Sequence, residues 1–208
     1  VDDFGKISSH FFGNEIQIGG VAGDQQAASI GQSCFKEGMV KSTYGTGCFL
    51  LMNTGSNIIK SQSNLLSTIA YNINEKKSYA IEGSIFNAGT VVQWMRDELQ
   101  FFNKASEVEN LASKSSNDIH FVPAFTGLGA PHWIPEARGI ISGLTRDTGQ
   151  NEIVRAALQS VVYQSTDLLN AMKDDGLIPS LIKVDGGMTQ NNWFNQFLAD
   201  ISNLKVLK

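Results

Sequence analysis

Basic charge is in short supply in this sequence: 16 Lys and Arg stand against 20 Asp and Glu in 208 residues, a formal net charge of −4. Gripping a phosphate backbone needs a basic face, so nucleic acid is not expected as a partner. Long apolar runs are also missing. The longest clear one, residues 48–52, falls far short of the ~20 needed to cross a bilayer, so no membrane insertion is expected. The polar, acidic start VDDFGKISSH does not read as a signal peptide. Cys34 and Cys48 are the only cysteines, with no CxxC and no paired histidines. That pattern offers neither a zinc site nor a disulfide framework and fits a reducing, cytoplasmic home. His10, His120 and His132 lie singly, and none is assigned a role. There is no Ser/Pro-rich linker, charge block or internal repeat. What remains is a 42% hydrophobic chain, enough to build the core of one domain or slightly more.

Helical and strand patterns alternate along the chain, which predicts an α/β or an α+β architecture. Residues 24–37 read as a helix capped by Asp24 and stopped by Gly38. Residues 41–44 and 48–53 read as a hairpin closed by Gly45-Thr46-Gly47, whose glycines would supply positive φ. A second hairpin is expected over 67–74 and 78–83, turning at 75–77. From Asn87 the period becomes 3.6, with Val91, Trp94, Met95, Leu99 and Phe102 on one helical face. A short helix over 106–112, strands at 119–124 and 140–144, and a long helix over 151–174 ending at Gly176 follow. Residues 181–184 then read as a buried strand, 185–187 as a turn, and a helix opens near Gln190 with Trp193, Phe197 and Ile201 inward.

Several of these features could carry chemistry. Strand, Gly186-Gly187, then helix N-terminus can present bare N–H groups to an anion, or can simply be a tight turn. The turn YGTGCF could hold phosphate on its main chain and the Thr46 hydroxyl, or could be only a hairpin turn. Neither this turn nor the Gly127 and Gly129 loop fits GxxxxGK[ST] or GxGxxG, so P-loop and Rossmann readings fail. Asp24, in GVAGDQQAA, is either a helix cap or a general base with Gln25 beside it donating to substrate hydroxyls. Gly89 and Gln93 stay equally open, a helix start on one reading and a ligand wall on the other.

The segments GVAGDQQAA, STYGTGCFLLMNTG, NAGTVVQWMRDEL, PAFTGLGAPHW, RGIISGLTRDT and VDGGMTQNNWFNQFLAD occur together and in this order. As a set they resemble the glycerol-phosphorylating members of the FGGY carbohydrate kinase family over essentially the whole chain. The resemblance implies an α/β, ribonuclease-H-like ATPase domain of the actin, hexokinase and Hsp70 type, with a mixed sheet flanked by helices. Residues 1–208 would be most of the C-terminal, second kinase domain, with the N-terminal kinase domain and the extreme C-terminus absent. Gly129 and Asp147 depart from the family, which usually has an aromatic and a glycine there.

Carried over residue by residue, the resemblance implies that Asp24 is the catalytic base and contacts the substrate. Gln25 would hydrogen-bond glycerol and Phe49 would pack against its carbons. Thr46, Gly89, Gln93, Gly187 and Asn191 would contact ATP. Mg2+ would assist, with no ligand assigned in this chain, and the full-length enzyme would be a homo-oligomer. A kinase of another polyol or sugar is a competing reading. GDQQA followed by Phe49 argues against it, because a small three-carbon substrate suits an apolar wall and few polar contacts. A non-catalytic actin-like nucleotide-binding module is the other.

Overall fold

The alternating segments of the first half pair as their period dictates. In the computed structural model, which describes residues 3–115 and 119–208, β3 (Met39–Tyr44) and β4 (Cys48–Gly55) form one antiparallel hairpin. β5 (Leu66–Ile73) and β6 (Lys76–Ile85) form the next. Before them lie a small hairpin of β1 (Lys6–Ile7) and β2 (Ile16–Gln17) around α1 (Ser9–Phe12), then α2 (Asp24–Gly31). After them come α3 (Gly89–Asp97), α4 (Val108–Ser113), β7 (His120–Val122), β8 (Ile140–Ser142) and α5 (Gln150–Asp174). The chain continues through β9 (Leu181–Asp185), α6 (Asn192–Ser202) and β10 (Val206–Leu207). The small β1–β2 hairpin and β10 were not foreseen from the sequence.

The main sheet has six strands in the order β10-β9-β3-β4-β6-β5. β3, β4, β6 and β5 are antiparallel neighbours, while β9 runs parallel to β3 and β10 parallel to β9. Three antiparallel strands followed by two parallel ones beside the first is the ribonuclease-H-like order, here with β5 added at one edge. Alternation sorts the sheet into two faces. Val40, Tyr44, Leu50, Met52, Ile81 and Ile85 are buried in one cluster with Val154, Leu158, Val161 and Leu168 of α5. Tyr44 Oη donates to Ser165 Oγ at 3.0 Å within that interface. Gly83 admits α5 closely, since a Cβ there would lie 2.5 Å from Leu168 Cδ2. The opposite face carries the small cluster of Leu51, Ala70 and Ala80, and α2 packs over it.

Several expected boundaries move. α2 ends at Gly31, not Glu37: Ser33 takes φ 55, its N–H donates to Ile30 O at 2.8 Å, and the Cys34 N–H donates to Ser29 O at 2.9 Å. That pair of bonds is a Schellman termination, and Gly38, with φ 80, instead opens β3. The N-cap is Gly23, so Asp24 is the first helical residue and not the cap. The second hairpin turns at Asn74 and Glu75, both at positive φ (51 and 64), as a type I′ turn requires. α3 stops at Asp97, so Phe102 is buried from a loop. The inner face of α6 is Phe194, Leu198 and Ser202, one position out of phase with the expectation, and Ile201 is 38% exposed. By contrast, α5 ends at Gly176 as expected, with φ 83 and Leu177 N–H donating to Met172 O at 3.0 Å. At Gly129 even a Cβ would lie 2.4 Å from the Ser84 carbonyl oxygen and 3.2 Å from Phe86 Cε1, so the glycine belongs to this chain's own packing there.

Candidate functional site

The turn between β3 and β4 is built differently from its sequence reading. Neither Gly45 nor Gly47 has positive φ. Gly47 instead serves close approach, since a Cβ there would lie 2.7 Å from Ile85 O, whereas a Cβ on Gly45 would meet only the Gly47 carbonyl at 3.9 Å. The Gly45 carbonyl accepts from Gly89 N at 2.8 Å, and the Thr46 carbonyl accepts from Ala88 N and Thr90 N, both at 3.1 Å. The open N–H groups at the start of α3 are thereby satisfied by the turn, locking the two together.

The second glycine turn sits next to the first because β9 pairs with β3. Gly186, at φ 96, lies so close to β3 that a Cβ would be 2.6 Å from the Tyr44 carbonyl carbon. Gly187 opens a 3-10 turn (Gly187–Gln190) and has no atom within 4 Å of where its Cβ would be. Asn191 caps α6, its Oδ1 accepting from Phe194 N at 2.9 Å. Thr46, Gly89, Gln93, Gly187 and Asn191 all line one cavity of 580 Å³. The structure therefore brings together every residue that the resemblance implied for the nucleotide. Val92, Arg96, Glu109 and Met188 line it too and were missed. The α3 pair could have been found, since 89, 92, 93 and 96 share one helical face. Glu109, on α4, gives no local signal.

Asp24, Gln25 and Phe49 lie apart from this cavity, over the opposite face of the sheet. Phe49 is 46% exposed although it sits in a strand, and with Gln25 it lines a pocket of 120 Å³ together with Leu66 and Glu82. Asp24 is exposed at the start of α2 and accepts from Gln25, at Oδ1 from the backbone N–H (2.9 Å) and at Oδ2 from Nε2 (3.3 Å). Beside them Lys41 is fully buried. Burial pulls its ammonium below the usual lysine range against the pull of Asp185, Cys48, Asp24 and Glu82, and burial pushes the Glu82 carboxyl up. On the α5 face, burial raises the Cys48 thiol to about 12, leaving it an inert packing group. Among the described residues no three His, Cys, Asp or Glu side chains converge as a metal site, and no helix is long and apolar enough to cross a membrane.

Comparison with known proteins places this geometry in a family. The model of the C-terminal domain of the FGGY family of carbohydrate kinases matches residues 40–208. A glycerol kinase of Alteromonas mediterranea is 56% identical over 98% of this chain and 42% of its own length. Glycerol kinase 1 of Pseudomonas aeruginosa is likewise 56% identical, over 98% and 42%. The crystal structure of Plasmodium falciparum glycerol kinase with ADP superposes with a TM-score of 0.90 at 41% identity, over 99% of this chain and 42% of that one. A xylulose kinase of Rhodospirillum rubrum shares the fold with a TM-score of 0.83 at 19% identity, over 98% and 42%. The chain thus spans 42% of the length of these relatives. Both by the segment matched and by the sheet that carries the cavity, the chain belongs to the FGGY family of carbohydrate kinases.

Proposed function

We propose that this chain supplies the nucleotide-binding part of an ATP-dependent glycerol kinase, as most of its second domain, and that a first domain completes the cleft. The observation that carries this reading is the convergence of Thr46, Gly89, Gln93, Gly187 and Asn191 on one 580 Å³ cavity. ATP fits that cavity chemically. Gly187 offers main chain with open space above it, Thr46 offers a hydroxyl, and Asn191, whose Oδ1 serves the α6 cap, keeps N–H donors for a ligand.

On the acceptor side, Phe49 supplies an apolar wall for a carbon chain and Gln25 an amide for a hydroxyl. Asp24 accepts the proton of the attacking hydroxyl as the new O–P bond forms and the bond from the γ-phosphorus to the ADP oxygen breaks. The transition state is loose, so the protein contributes mainly alignment of acceptor and phosphate. When bound, Mg2+ supplies charge neutralisation on the phosphates. Among the described residues the acidic side chains do not cluster to hold it, which is compatible with an ion that keeps water and phosphate ligands.

The test is phosphorylation of a panel of polyols and sugars by the full-length protein that carries this chain, with ATP. Glycerol 3-phosphate as the dominant product supports the reading. Preference for a pentulose, or ATP binding without turnover of any polyol, overturns it.

A further inference from the structure

Lys41 is 0% exposed in the middle of β3, on the face that looks toward α2. Burying an ammonium is costly unless its donors are matched. Here they are: Nζ donates to Gln25 Oε1 in a short contact, to Thr43 Oγ1 at 3.0 Å and to the Phe49 carbonyl at 3.3 Å. An ammonium has three N–H donors and no acceptor. All are occupied by neutral oxygens, and among the described residues no carboxylate stands within ion-pair distance. Lys41 has no donor left for a phosphate.

Its effect falls on Gln25. Because Nζ can only donate, the carboxamide oxygen must face Lys41 and the Nε2 group must face away. In that orientation Nε2 lies 3.3 Å from Asp24 Oδ2. The same ammonium pins the backbone at Phe49, the other member of the acceptor pocket. We propose that Lys41 is the positioning residue of the acceptor site, holding the Gln25 carboxamide in the one orientation that turns its N–H donors toward Asp24. This rests on the acceptor-site reading of Asp24, Gln25 and Phe49. Lys41 acts on acceptor alignment through Gln25 and leaves the nucleotide cavity alone.

A double-mutant cycle in the full-length protein tests it, with kcat and KM for glycerol, KM for ATP and the melting temperature read for each variant. Gln25→Ala should lower kcat/KM for glycerol about 10- to 100-fold, the range for a hydrogen bond involving a charged group. Lys41→Met should lower it about 10-fold or more with KM for ATP unchanged, and should add less than about 2-fold when Gln25 is already alanine. An equal loss from Lys41→Met in both backgrounds, tracking the melting temperature, would mean a structural ammonium and overturn the proposal. So would a Lys41→Met enzyme with parental kinetics. A harmless Gln25→Ala would overturn the acceptor-site reading itself, and the positioning role with it. If Lys41→Met does not fold, the cycle is run with Lys41→Leu, a shorter apolar side chain that likewise removes every donor, and the same outcomes decide.

Discussion

The Gly89 N–H donates to the Gly45 carbonyl at 2.8 Å, and a Cβ on Gly89 would stand 2.5 Å from that same oxygen. The hydrogen bond and the missing side chain are one requirement, since the bond exists only because the backbones can approach. Gly89→Ala should therefore push α3 away from the turn. Overpacking of this kind costs about 1 to 3 kcal/mol. The expected result is a lower melting temperature together with weaker ATP binding, because both sides of the separated contact line the cavity. Calorimetry and a nucleotide titration on one sample check both.

Gly187 should behave oppositely. No atom lies within 4 Å of its Cβ position and its φ is not positive. Gly187→Val should leave the melting temperature nearly unchanged, within the roughly 0.5 kcal/mol of an ordinary surface change. A branched side chain projecting into the cavity should still weaken ATP binding about 10-fold or more, equivalent to about 1.4 kcal/mol. Equal ATP affinity of the two forms in a titration would make the turn purely structural.

Asp24 is the first residue of α2, exposed, and gives no side-chain bond to the N–H groups further along the first turn. Asp24→Asn should therefore scarcely alter stability, losing the small helix-dipole term of about 0.3 to 1 kcal/mol and one exposed contact from Gln25. In the full-length protein it should cost about 10²- to 10⁴-fold in kcat, or roughly 3 to 5 kcal/mol of transition-state stabilisation, if the carboxylate takes the proton. Steady-state kinetics beside a melting curve separate the two effects. A kcat within a few-fold of the parent would remove the base role.

Asp175 ties the end of α5 to the segment before β5. Its Oδ2 accepts from Ser61 Oγ at 2.5 Å, and its Oδ1 from Gln62 N at 2.8 Å and Ser63 Oγ at 3.0 Å. Partial burial pushes the carboxyl up, but these hydrogen bonds together outweigh it and hold the pKa below the ordinary value of 3.8. A depressed folded-state pKa adds stability that is fully present above 3.8 and fades as pH falls through the lower, folded value. Asp175→Asn should thus be destabilising at neutral pH. The difference from the parent should shrink as urea melts are repeated at pH values descending below 3.8.

How much of this was legible without coordinates differs by kind of feature. The two hairpins, the start of β9 and the span of α5 follow from period-2 and period-3.6 patterns and from local turn chemistry. That information is carried by neighbours in the chain, so the sequence alone determines it. The glycine turns were legible as turns for the same reason. What they do was not: Gly45 and Gly47 were expected to serve positive φ, and instead the Gly45 carbonyl accepts from the start of α3 while Gly47 admits β6, both of which depend on segments far along the chain. The end of α2 at Ser33 and the phase of α6 were decided likewise, by which carbonyls and which sheet face the folded chain offered. Local rules leave such choices nearly degenerate in energy, and tertiary burial breaks the tie. The joining of Thr46 to Gly187 came only from the parallel pairing of β3 with β9. Lys41 makes the same point most directly: a lysine in a strand reads as a solvated edge residue, and only the packing of α2 across that face turned it into a buried ammonium.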